Sequence, residues 1–312
     1  MTDTTETQTD EQVRSAISAH LLAIPQTRLA REAGLSATAV SQWINDKYKG
    51  NNASVKNKLV AWMASHAECV IVSATIAPER AGWVDTPTSI EIERAFVKAR
   101  SMPGMAVVYG APGVGKTSTI KRYASTTPNV WVVTASPAVS SMAAILKLIG
   151  MAVKARGGYR NYDLAREITN HITDTRGLLI IDEFQHLSLP AIEQVRAIHD
   201  ESNVGVALVG NEAGWAKMTG GIRRLDHAQL FSRCAPVVSL LSPQEDDVNA
   251  ILDAWRVNTR AAKEFALQIS AGGGGLRNLV KTLQQAALYS PGAGAPDVLA
   301  MRTAWAEIGG TI

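Results

Sequence analysis

The chain has 312 residues, enough for two or three domains and a large core. Its 46% hydrophobic and 19% charged residues are an ordinary globular balance, and a net charge of +3 excludes an overall polycation, so nucleic-acid binding must come from a local basic surface. Two distant cysteines, Cys69 and Cys234, exclude a disulfide scaffold or a zinc site, and no apolar run is long enough for a bilayer span, so a cytoplasmic protein without a membrane partner is expected.

Residues 1–10 are acidic and Thr-rich, unlike a secretory signal, and predict a disordered tail. Residues 11–66 predict short helices. Within them, 26–45 have helix-turn-helix spacing. Ala30 is small enough for two helices to cross, Gly34 can take a left-handed turn, and Ser36 can cap the second helix. Leu29, Leu35, Val40 and Ile44 would fill a small core. The outer face of the second helix then carries Ala37, Thr38, Ser41 and Gln42, short residues able to approach base edges. Lys47, Lys49 and Lys56 follow, placed for phosphates. Ala and Thr at the reading positions imply weak base preference.

Residues 67–87, with Pro78 and Pro87, predict a linker, and 88–100 a helix. From 88 to 242 strands alternate with helices, the pattern of an α/β domain with a parallel sheet. Strands are expected at 105–109, 129–134, 177–182, 204–209 and 235–240. From 243 to 312 the pattern is helical only, at about 243–256, 260–270, 276–289 and 296–307, punctuated by Gly272–Gly275 and Ser290-Pro291-Gly292.

The most specific motif follows the first strand. Gly110, Ala111, Pro112, Gly113, Val114, Gly115, Lys116 and Thr117 form a complete G-x-x-x-x-G-K-[ST] phosphate loop, with Ser118 opening the next helix. Its backbone N–H groups cradle phosphates, Lys116 places a charge on the β- and γ-phosphates, and Thr117 offers a hydroxyl to Mg²⁺. The strand ending in Asp182 and Glu183 supplies the complementary acids, Asp182 for the Mg²⁺ shell and Glu183 for the attacking water. Asn211, at the end of the next strand, can orient that water. Arg233, with Arg223 and Arg224 as competitors, can reach the γ-phosphate of a neighbouring subunit, and Arg277 can fold over the nucleotide from the helical segment. Lys147, Lys154, Arg156 and Arg160 form a basic loop after the second strand, expected to face DNA.

In this order the pieces resemble an AAA+ ATPase: phosphate loop, acid pair, polar strand end, arginine and helical lid, over about 88–290. The N-terminal helix-turn-helix narrows the resemblance to the Mu-type transposition B ATPases. Closer matching stretches include Gly34-Leu35-Ser36, Ile44-Asn45-Asp46-Lys47-Tyr48, Asn129-Val130-Trp131, Gly210-Asn211, Met218-Thr219-Gly220-Gly221 and Leu230-Phe231-Ser232-Arg233. The resemblance implies an ATP- and Mg²⁺-dependent binder of double-stranded DNA with little sequence preference. It also implies self-assembly into helical filaments, delivery of target DNA to a transposase that stimulates hydrolysis, target immunity, and a bacterial host cell as the location. A helicase loader or replication initiator would share the ATPase core and differ in the partner that stimulates it. A transcription regulator would differ by sequence-specific footprints and negligible turnover.

Overall fold

The computed structural model describes residues 9–76, 82–156, 160–219, 234–289 and 294–311. It divides into two compact units, Met1–Pro78 and Glu79–Ile312.

Among the described residues the first unit holds four helices: α1 (Asp10–His20), α2 (Gln26–Glu32), α3 (Ala37–Ile44) and α4 (Asn52–Ile76). Thr9 and Gln12 form a reciprocal cap that starts α1 at Asp10, one residue inside the predicted tail. The chain turns between α2 and α3 at Gly34 (φ +63°), and Ser36 Oγ accepts from Ala39 N at 3.1 Å to start α3. Leu29 and Val40 are buried as the spacing predicts, and Leu35 and Ile44 pack at the margin. The largest fully buried side chain in this core is Trp43, with the Arg14 guanidinium 5.1 Å from its ring centroid. Helix α4 runs through 67–76, where a connector is predicted, because neither Gly nor Pro interrupts the chain before Pro78.

The second unit begins with α5 (Pro87–Ser101), started by a Thr86/Ser89 capping box with Pro87 in the first turn. Five parallel strands follow: β1 (Met105–Gly110), β2 (Val130–Thr134), β3 (Leu178–Asp182), β4 (Gly205–Gly210) and β5 (Cys234–Leu240). Every boundary lies within one residue of the predicted one. The spatial order is β2-β3-β4-β1-β5. Helix α6 (Lys116–Thr126) follows β1, α7 (Met142–Val153) and α8 (Asn161–Ile172) lie between β2 and β3, and α9 (Leu189–Ser202) leads into β4. A short helix, α10 (Glu212–Thr219), follows β4.

Two cores sort the strand residues by parity, as a pleat requires. Val107, Leu179, Ile181, Val206 and Leu208 face a layer built from Ile145, Ile149, Ile168 and Val195 of α7, α8 and α9. Ala106, Val108, Leu178, Ile180, Ala207 and Val209 face Ile92 and Phe96 of α5 and Ile120 of α6. Both faces of the central strands are therefore dry, which holds their carboxyl ends in fixed register. The chain ends in α11 (Glu245–Ala254), α12 (Arg260–Ala271), α13 (Gly275–Ala286) and α14 (Val298–Glu307), packed around Ile251, Leu252, Phe265, Ile269, Leu279, Leu283 and Met301.

Trp43→Ala removes a fully buried side chain from the N-terminal core and should cost that unit about 3–5 kcal/mol. Hydrogen exchange should show α1–α3 losing protection while β1, β3 and β4 keep theirs. Equal loss in both units would contradict the separation of the cores.

Candidate functional site

The carboxyl end of β1 runs into the phosphate loop, and that of β3 into the acid pair. Because β4 lies between β1 and β3, the two motifs approach across its end. There Thr117 Oγ1 donates to Asp182 Oδ2 at 2.9 Å, and Asp182 Oδ1 accepts from Glu183 N at 2.9 Å. Lys116 Nζ lies over the loop, donating to Gly110 O at 2.9 Å and Ala111 O at 2.7 Å. Gly115 caps α6 in a left-handed conformation (φ +101°) with open space where a side chain would stand, leaving the first N–H groups of α6 approachable.

The helical segment closes the other side. A cavity of about 620 Å³ is lined by Gly113, Lys116, Thr117, Ser118 and Glu183 from the core, by Trp83 and Thr86 ahead of α5, and by Ile251, Trp255, Arg277 and Lys281 from the lid. A Cβ on Gly113 would meet Gly274 O at 2.0 Å, so glycine here is required by the approach of the chain leading into α13. Arg277 lies in the first turn of α13 and lines this cavity.

Burial sets the electrostatics. It holds the Lys116 ammonium below the usual lysine range, against the pull of Glu183 and Asp182, and Arg277 adds to the lowering. Burial likewise pushes the Asp182 carboxyl above the usual carboxylate range, while the hydrogen bonds from Thr117 and Glu183 N act in the opposite sense. A compensating ligand suited to this cleft carries negative charge for Lys116 and a cation for Asp182.

Glu183 takes a left-handed backbone conformation (φ +56°), which turns the chain into a short 3₁₀ segment, Phe184–His186, and buries Phe184. Gln185 then folds back. Its Nε2 donates to the Glu183 carboxylate, and its Oε1 accepts from Asn211 N at 3.2 Å. Asn211 Oδ1 accepts from Gly214 N at 3.0 Å and so caps α10. Glu183 and Asn211 are thus joined through a residue that belongs to neither motif.

Residues 99–218 match the AAA domain family, and residues 232–308 match the C-terminal domain of the Mu B transposition protein. The "Mu-like prophage FluMu DNA transposition protein B" of Haemophilus influenzae is 39% identical over 262 residues, covering 83% of this chain and 90% of that protein. The chain belongs to the Mu B transposition protein family. The "ATP-dependent target DNA activator B" of Escherichia phage Mu is 35% identical over 269 residues, covering 86% of this chain and 84% of that one. Among solved structures, NtrX from Brucella abortus in complex with ATP superposes with a TM-score of 0.48 at 14% identity, covering 88% of this chain and 72% of that chain. The present Mu B family member is accordingly an AAA ATPase of Mu-type transposition.

The other predicted residues lie elsewhere. Thr38, Gln42, Lys47 and Lys49 are exposed and Ser41 is half-buried on or just after α3. The Lys56 ammonium is 2.7 Å from an Asp10 carboxylate oxygen, an ion pair within the N-terminal unit. Lys154 ends α7 with φ +61°, and Lys154, Arg156 and Arg160 are all exposed. Arg223, Arg224 and Arg233 lie outside the described residues. Trp83, Trp255 and Lys281 join the cavity without a motif to announce them, and Gln185, two residues after Glu183, belongs to no motif either.

Asp182→Asn separates folding from chemistry. Because the folded-state pKa of Asp182 is raised, wild-type stability falls as pH rises through that value, and at neutral pH the ionised group opposes folding. The nucleotide-free variant should melt higher than wild type at neutral pH. That advantage should shrink as pH falls below the folded pKa, where wild-type Asp182 is protonated. An equal or lower melting temperature at neutral pH would contradict the assignment.

Proposed function

We propose that this chain is an ATP-dependent DNA-binding ATPase that polymerises on target DNA, captures it for a phage transposase and takes part in target selection and immunity. The carrying observation is the contact between Thr117 and Asp182, with Lys116 and Glu183 beside it. The names of the relatives, a transposition protein B and an ATP-dependent target DNA activator, support the wider reading.

In this proposal the N–H groups from Gly113 to Ser118 and the Lys116 ammonium bind the triphosphate. The Thr117 hydroxyl and the Asp182 carboxylate, two hard oxygen donors 2.9 Å apart, fit Mg²⁺. Among the described residues no group of three or more His, Cys, Asp or Glu forms a fuller cage, so phosphate and water would complete its shell. Bound there, the cation neutralises charge on the phosphate oxygens. Glu183 accepts a proton from the attacking water, with its carboxylate aimed by Gln185, and Asn211 orients that water. Arg277 balances phosphate charge from the lid. Arg233, or Arg223 or Arg224, reaches the cleft from a neighbouring copy.

That last contribution makes nucleotide occupancy and subunit assembly one event, and a heterologous interface that does not close yields a helical filament. Thr38, Ser41, Gln42, Lys47 and Lys49 approach double-stranded DNA from the N-terminal unit, and Lys154, Arg156 and Arg160 from the core. A transposase partner stimulates hydrolysis, and the protein works in the cytoplasm of a bacterial host. Among the described residues no helix is long and apolar enough to cross a membrane.

Lys116→Ala should abolish ATP binding in an equilibrium titration and, with it, assembly on DNA. Glu183→Gln should still bind ATP and assemble, with turnover reduced about 100-fold or more; brisk hydrolysis by this variant would remove Glu183 from its role. Changing Lys154, Arg156 and Arg160 together to Ala should weaken ATP-dependent DNA binding and flatten its salt slope by about 0.9 for each phosphate no longer neutralised. Unchanged affinity and slope would remove the loop from the DNA interface.

A further inference from the structure

Asp247 has no exposed surface, yet it is a carboxylate in the first turn of a lid helix. All of its partners are helix-terminal groups. Oδ1 accepts from Thr88 N at 2.9 Å, and Oδ2 accepts from Thr88 Oγ1 at 2.6 Å and from Gln244 N at 2.9 Å. Thr88 lies in the first turn of α5, where its N–H has no partner within the helix, and Gln244 is the cap of α11. One buried anion therefore meets the positive ends of two helices, one from the ATPase core and one from the lid.

The start of α5 and the far end of α11 border the nucleotide cavity. Thr86 and Ser89 line it beside Thr88, and Ile251 and Trp255 line it from α11. Residues 247, 251 and 255 are spaced by four, so they share one face of α11. The anchored end of that face is Asp247, and its free end is the wall of the cleft. The sheet and the loop after β1 fix the phosphate end of the cavity. Among the described residues, the hydrogen bonds between α5 and α11 centre on this carboxylate.

We propose that Asp247 is a positioning residue for the nucleotide: by pinning α11 to the first turn of α5 it sets the spacing between the two walls of the cleft, and so the affinity for ATP. The proposal rests on reading the cavity as the ATP site. Asp247 does not touch the reacting atoms, so its loss should act on binding and leave the chemical step alone.

The test uses the full chain with Asp247→Asn, Thr88→Val and Thr88→Ser, measuring the Kd of a fluorescent ATP analogue, KM and kcat for ATP, and the melting temperature. Thr88→Val keeps the backbone donor and removes only the hydroxyl, so it remains informative if Asp247→Asn folds poorly. Asp247→Asn and Thr88→Val should raise Kd and KM about tenfold, the scale of one hydrogen bond to a charged group. Their kcat at saturation should stay within about twofold of wild type, and Thr88→Ser should behave as wild type. Unchanged Kd and KM with only a lower melting temperature would overturn the proposal, as would a fall in kcat at constant KM. Wild type failing to bind the analogue would instead overturn the ATP reading itself.

Discussion

The hydrogen bond from Thr117 to Asp182 joins the start of α6, reached from β1, to the end of β3, a strand that is not β1's neighbour. It spans the end of β4 and brings the loop after β1 to the acids after β3. Its 2.9 Å length depends on the register of three parallel strands, and that register depends on dry faces above and below them. The chemistry of the cleft is thus held by packing far from it. A hydroxyl and a carboxylate set together at the carboxyl end of the sheet, with an ammonium whose pKa is lowered by burial beside them, form a site short of counter-charge. A phosphate chain with a divalent cation supplies both signs at once.

The lid completes what the sheet begins. The chain before α13 passes so close to Gly113 that no side chain fits between them, and Arg277 and Lys281 bring positive charge to the same cavity. The buried carboxylate of Asp247 fastens α11 to α5 at a second point. On the opposite flank, Gln185 ties Glu183 to the turn at Asn211. That turn leads into α10, whose start Asn211 caps.

Much of this was legible from sequence where chemistry is local. The loop at 110–117 and the acids at 182–183 are short motifs at the ends of apolar strands, and short apolar runs bounded by turn residues located all five strands. The position of Arg277 at the opening of a helix was legible from the glycine run before it. Gln185, Thr88 and Asp247 were not found, because their roles exist only in the folded chain; Thr88 and Asp247 are separated by 159 positions. Lys56 pairs with Asp10 in the folded chain, and pairing of this kind is invisible to composition. The extension of α4 to Ile76 was missed for a different reason: distant prolines suggested a connector, while the residues before Pro78 are all compatible with a helix.

The central claim is that nucleotide in this cleft governs assembly on DNA. Electron microscopy of the purified protein with duplex DNA, with and without ATP and Mg²⁺, tests it most directly. Helical coats should form on the duplex when ATP is present and vanish when it is withheld. Equal coating of DNA in the absence of nucleotide, or isolated particles at saturating ATP, would contradict the account.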